Sequence, residues 1–162
     1  MVVVPPPASL ALEKLGVSHK IFQHESPVTS LEQVAMERCQ RASQIVRSIL
    51  FRIAEDEFVM VLIAGSTQAS WKMMRKHLGV SRITMATEDE VLAVTGYRVG
   101  TVSPFGLPLL LKVLIDPGVL EEEEISTGSG IRNTAIVLKS KDLRQVLKDA
   151  EVVSLIEEKY QG

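Results

Sequence analysis

The chain has 162 residues, enough for one domain that buries a substantial core, and its 46% hydrophobic and 23% charged residues are those of a folded globular protein. A net charge of −2 argues against a stand-alone binder of nucleic-acid backbone, which carries a basic excess. With 4% aromatic residues a base-stacking platform is equally disfavoured, although contact with one end of an RNA stays open.

In chain order, PPPASLALEKLG (5–16) reads as a short helix with Ser9 as N-cap and Gly16 as its stop, and HKIFQH (19–24) as a short extended piece. TSLEQVAMERCQ (29–40) is a second helix, because Thr29 with Glu32 and Ser30 with Gln33 each fit a capping box. QIVRSILFRIA (44–54) alternates as a strand does, with Ile45, Arg47, Ile49 and Phe51 on one face and Val46, Ser48, Leu50 and Arg52 on the other. FVMVLIAG (58–65) is apolar on both faces, which predicts a central strand. SWKMMRKHLG (70–79) is helical, RITMA (82–86) a short strand, and TEDEVLAVTG (87–96) a helix with Thr87 and Glu90 as its capping box. LPLLLKVLID (107–116) follows an irregular stretch. Short strands then come around EIST (124–127) and TAIVL (134–138), a helix over 140–150 capped by Ser140, and a helical tail at 151–160. Helices and strands mix without alternating, so the chain is one α/β or α+β domain, residues 1–162, with a mixed sheet.

Several chemistries are disfavoured. Cys39 is the sole cysteine, placed in the helix over 29–40, so no internal disulfide forms and zinc spacings are absent. MVVVPPP (1–7) lacks the basic leader and apolar length of a signal peptide, and no run approaches a membrane span; the expected location is the cytoplasm. TGSGIRN (127–133) contains Gly-x-Gly, but a strand-like segment follows where a dinucleotide loop needs a helix. Ser129 is not in a nucleophile elbow, and His19, His24 and His77 have no metal spacing and read as surface or loop histidines. Glu121–Glu124 reads as a solvated carboxylate run.

GYRVGTVSPFGLP (96–108) holds three glycines and two prolines and reads either as a connection between helix and strand or as a loop of bared amides. Three stretches, QIVRSILF, TGYRVGTVSPFGLP and GSGIRNTAIVL, together resemble the YbaK family, the editing domains associated with prolyl-tRNA synthetase. HESPVTSLEQVA and SWKMMRKHLG resemble that family's opening and central helices, so the likeness runs from about His19 to Leu147. The resemblance implies a mostly antiparallel sheet curled towards a barrel and surrounded by helices. It also implies hydrolysis, in trans, of the ester joining a wrong amino acid to the 3′ end of tRNA. Such a second sieve answers a physical need, since a pocket gains only about 1–3 kcal/mol from one methylene or hydroxyl.

On this resemblance Arg47, Gly100 and Thr101 are the catalytic candidates, and Tyr97, Val102, Ser103, Pro104 and Gly106 the substrate-binding ones. Main-chain amides beside Gly96, Gly100 and Gly106 would hold the oxyanion while water or the substrate's own ribose hydroxyl attacks. Ser129 and Asn133 would hydrogen-bond the α-amino group or ribose, and Lys72 is either an RNA contact or an ordinary exposed lysine. No cofactor or metal is implied. The partners would be mischarged tRNA and, in some members, a synthetase, with the protein a monomer or homodimer and no membrane involved. Two departures stand out: Arg47 where relatives carry lysine, and Thr101 where many carry glycine. They leave open a binding module for aminoacyl-tRNA ends, a nucleotide-like ligand or a synthetase.

Overall fold

In the computed structural model, which describes residues 5–108 and 110–157, the most apolar run of the chain lies at the centre. β3 (Glu57–Ala64) is the middle strand of a five-stranded sheet ordered β4-β2-β3-β5-β8, and Val59 to Ile63 are fully buried. Its alternation serves two cores at once. Met60 and Leu62 join one cluster, while Val59, Val61 and Ile63 join another on the opposite face. A strand buried on both faces reads as a continuous apolar run, which is how it was legible in the sequence.

β2 (Val46–Ala54) pairs antiparallel with β3 along its length, the two joined through a tight turn in which Asp56 takes φ 57°. β4 (Thr84–Met85) pairs with β2 only at Phe51 and Arg52. β5 (Lys112–Ile115) and β8 (Glu151–Val152) add parallel rungs on the far side. A second, antiparallel sheet is ordered β1-β7-β6, from β1 (Lys20–Gln23), β7 (Thr134–Lys139) and β6 (Glu124–Gly128). Four of the six strand pairings are antiparallel. The sheets are linked by a parallel bridge from Ile45 to Ser126 and do not close into a barrel.

Helices fill the remaining faces. α1 (Pro7–Lys14) buries Ala8 and Leu12, and α5 (Ser140–Val146) buries Leu143, in the cluster between the two sheets. α3 (Trp71–Leu78) lays Met74 on the opposite face, beside Phe51 and Leu155. Each such side chain contributes about 1.5–3 kcal/mol of burial. α2 (Leu31–Glu37) and α4 (Glu88–Thr95) flank the free part of β2.

Local signals held unevenly. Ser30 caps α2 by accepting the Gln33 N–H, but neither expected box closes there, because the Gln33 side chain accepts from Thr29 instead; Ser70 caps α3, and Thr87 with Glu90 form the capping box of α4. Ser9, in contrast, lies inside the first turn of α1 behind Pro6, and its hydroxyl meets His19 Nε2 at 2.6 Å. Ser140 is the first residue of α5 and donates to the Glu122 carbonyl, leaving Lys139 at the cap position without a side-chain bond. Cys39 lies beyond the end of α2, exposed, at φ 55°. Residues 151–157 of the segment expected as a helical tail are instead extended. β8 pairs with β5, Ile156 bridges Ala69, and Asp116 accepts the Leu155 N–H at 2.8 Å. Residues 1–4 and 158–160, also part of the sequence reading, lie outside the described residues.

Candidate active site

A cavity of about 840 Å³ opens where the two sheets part, beyond the Ile45–Ser126 bridge. Its back wall is β2 from Val46 to Leu50. One flank is Leu31, Val34 and Arg38 from α2 and its end; the other is Met85 with the start of α4. Val99, Gly100 and Val102 come from the irregular loop, Thr127 and Gly128 from the end of β6, and Asn133 from the turn between β6 and β7. Arg47 and the two glycine-bearing segments, far apart in sequence, therefore share one cavity.

The loop is built from behind. α4 ends at Gly96, and buried Thr95 fixes the exit by accepting the Tyr97 N–H at 3.0 Å and donating to the Val91 carbonyl at 2.6 Å. Tyr97 is buried, its hydroxyl donates to the Phe105 carbonyl, and burial pushes its pKa up. Thr101 donates both N–H and hydroxyl to the Arg98 carbonyl, and its own carbonyl accepts from Gly130. Ser103 accepts the Phe105 N–H. Tyr97, Thr101, Ser103 and Pro104 are thus buried behind the wall and do not line the cavity; Gly106 is exposed, outside that lining. Among the expected loop residues, Gly100 and Val102 face inward.

Two glycines have distinct jobs. Gly100 has φ +92°, and the space where a Cβ would stand is open. No hydrogen bond among the described residues engages the N–H of Gly100 or of Val102. At Gly128 a Cβ would overlap the Val102 carbonyl oxygen, so this glycine lets the two wall segments touch. Ser129 is fully buried and satisfied by its own turn: it accepts from Ile131 N–H, with the Ile131 and Thr134 carbonyls within 3.1 Å. Asn133 lines the cavity at φ 58°, and its carbonyl accepts the His24 N–H at 2.7 Å.

Arg47 is half-buried on the wall, but its guanidinium donates to the Gly65 carbonyl at 2.8 Å and to the Thr67 carbonyl. Burial lowers its pKa without removing the charge. Lys72 lies exposed on α3, outside the cavity lining.

Arg38 carries a second positive charge into the same cavity, and the sequence pattern did not mark it. Its Nε donates to His24 Nε2 at 3.0 Å and its Nη1 to Ser126 Oγ at 2.8 Å; burial lowers its pKa to about 10. Because His24 Nε2 accepts, its proton sits on Nδ1, which donates to Glu37 Oε1 at 3.0 Å. That hydrogen bond holds the Glu37 carboxyl below its ordinary range. His24, read as a surface or loop histidine, lies in the loop just past β1 and is buried there. No spacing rule joins residues 24, 38 and 126; the left-handed turn at Cys39 and the β6 register bring them together.

The site combines unengaged amides, the Arg38 guanidinium and an apolar flank, with Arg47 on the β2 wall, a chemistry suited to an anionic, acylated ligand. Known proteins point the same way. The chain is 30% identical over 125 residues to the uncharacterised protein YwhH of Bacillus subtilis, covering 77% of this chain and 79% of that protein. It is 25% identical over 139 residues to the multifunctional Ser/Thr-tRNA deacylase ProXp-y of Escherichia coli, covering 83% of each. Its fold superposes with a TM-score of 0.86 on a crystal structure described as a candidate trans-editing enzyme for prolyl tRNA synthetase, at 24% identity over 96% of this chain and all of that one. The model of the aminoacyl-tRNA editing domain matches residues 25–146, the span that contains every wall of the cavity except His24, and the chain belongs to that family.

Proposed function

We propose that this protein hydrolyses mischarged aminoacyl-tRNA in trans, with the cavity at β2 as its active site. The observation that carries the reading is the meeting of Gly100, Val102 and Asn133 with Arg47 and Arg38 around one opening inside the family's matched span. In the reaction, a water oxygen attacks the ester carbonyl and the carbonyl oxygen gains negative charge. The amides of Gly100 and Val102 receive that charge. The ribose oxygen then leaves and takes up the proton released by the water. No protein base is required, since the substrate's own ribose hydroxyl can relay the proton. The unengaged amides of Gly100 and Val102 beside the cavity support this reading.

Thr101, Tyr97, Ser103 and Pro104 hold the loop in shape in this scheme and do not touch substrate. Arg47 fastens the β3–α3 loop and lends its charge to the RNA end; Arg38 faces the same end from across the cavity. Seryl and threonyl esters are the first substrates to try, because the relative ProXp-y is named for them. The protein would work in the cytoplasm beside the synthetases that make the errors.

The test is a panel of tRNAs charged with serine, threonine, alanine and cysteine, scored for multiple-turnover release of the amino acid. Release is expected for at least one ester, falling about tenfold or more in Arg47→Ala. Retention of every ester, together with measurable binding of charged tRNA, would establish the binding-module alternative instead.

A further inference from the structure

β2 is paired along its whole length on one edge and interrupted on the other. On the interrupted edge Ile45 bridges Ser126 and Phe51 pairs with Met85; between these points no described strand lies alongside it. In a strand, the N–H and C=O of alternate residues point to the same edge. The Ile45 carbonyl accepts from Gly65 on the β3 side, and the Leu50 carbonyl accepts from Ala86 on the opposite side. Val46, Ser48 and Leu50 therefore present their main-chain groups to the gap. In order these are the Val46 C=O, the Ser48 N–H, the Ser48 C=O and the Leu50 N–H.

Folded proteins normally pair, cover or blunt such an edge. Here it faces the cavity. A second observation falls on the same residue: the Ser48 hydroxyl is buried and has no hydrogen-bond partner among the described residues. A buried hydroxyl without a partner is unfavourable unless a ligand supplies one.

We propose that this interrupted edge seats the terminal adenine of the substrate RNA, a proposal that rests on the deacylase reading above. A carbonyl followed two residues later by an amide offers an acceptor beside a donor in one plane. The Watson–Crick edge of adenine is the complement, with its exocyclic amine donating to the carbonyl and ring N1 accepting from the amide. The α-ammonium of an aminoacyl group only donates, so it matches half of this pattern. Adenine is also the base one ribose from the scissile ester, which places it in the cavity that holds Gly100 and Val102. Leu31 and Val34 form the apolar flank along which its ring lies. The base becomes the missing rung between Ile45 and Phe51.

The experiment uses uniformly 15N-labelled protein and two uncleavable probes. One is 3′-(serylamino)-3′-deoxyadenosine; the other is the same compound with purine in place of adenine, which lacks the exocyclic amine. The adenosine probe should shift the Ser48 and Leu50 amide resonances and slow hydrogen exchange at the one that donates to ring N1, and the purine probe should bind about tenfold more weakly. In parallel, charged tRNAs ending in adenosine or in purine riboside are compared, and the purine end should lower kcat/KM by about the same factor. Equal binding and equal turnover of the two ends, with no change at Ser48 or Leu50, overturn the base seat while leaving the deacylase reading intact. Shifts at those amides that follow the aminoacyl group instead of the base overturn it as well. Protection of either amide with no ester hydrolysed by any charged tRNA sinks the deacylase reading and supports the seat.

Discussion

Arg38 and Arg47 are half-buried arginines on the wall of one cavity, yet only Arg47 is marked by sequence pattern, because it breaks an alternating apolar face. That signal was sound as far as it went, since a charge on such a face needs partners, and Arg47 has them in the Gly65 and Thr67 carbonyls. Arg38 sits at a polar helix end where nothing in the local pattern is unusual, and its partners His24 and Ser126 are 14 and 88 residues away. Glycines carried a different kind of information. GSG by itself is a weak signal, and its meaning at Gly128 emerges only when Val102 lies against it. Gly128→Ala is expected to force the two wall segments apart and destabilise the protein by about 1–3 kcal/mol, read as a fall in the urea midpoint. An unchanged midpoint would show that the Val102 segment moves freely.

At the scale of elements, the helix caps at Ser30 and Thr87 were the most readable feature, because a cap is a contract among residues three apart and needs no tertiary partner. Thr87 accepts the Glu90 N–H at 3.2 Å, and Glu90 accepts the Thr87 N–H at 2.9 Å. Thr87→Ala should cost about 1 kcal/mol, seen in thermal unfolding. The hydrogen bond from the Thr87 backbone lowers the Glu90 pKa, with Arg52 adding to the same direction. A carboxyl whose folded pKa is depressed stabilises the protein above its unfolded pKa and loses that contribution as pH falls through the folded value. The Tm difference between wild type and Glu90→Ala should therefore be present at neutral pH and fade below about pH 4. A difference that persists at low pH would mean that the carboxylate is not its source. Ser9 and Ser140 show the limit of the same rule. Both have the right residue type near a helix start, but His19 and the Glu122 carbonyl, brought in by the fold, compete for their hydroxyls.

Across the whole molecule, the tail from 151 onward is the clearest departure from local preference. EVVSLIEE has a helix-like composition, yet β5 offers it a free parallel edge, and Asp116 offers the Leu155 N–H a buried carboxylate oxygen while its other oxygen takes the Gly118 N–H. Leu155 is then fully buried beside Met74 and Phe51. Asp116→Ala leaves both amides without their acceptor. It should destabilise the protein by roughly 1–3 kcal/mol and raise hydrogen exchange at Leu155 above that of the central strand β3. Equal exchange rates in mutant and wild type would remove Asp116 as the clasp of the tail.

The sequence alone determined what short-range chemistry controls: the two-faced apolar run of β3, the caps of α2 and α4, and the motifs that mark the editing family. Those features depend on residues within a few positions of one another, so their physics is complete in the string. The tertiary structure decided which wall residues face inward and which stand behind them, where the tail goes, and that Arg38 joins Arg47. It also decided that the sheets part beyond the Ile45–Ser126 bridge and leave β2 with an open edge on the cavity. Such choices depend on burial and hydrogen-bond competition between segments far apart in the chain, and those energies exist only once the segments have met.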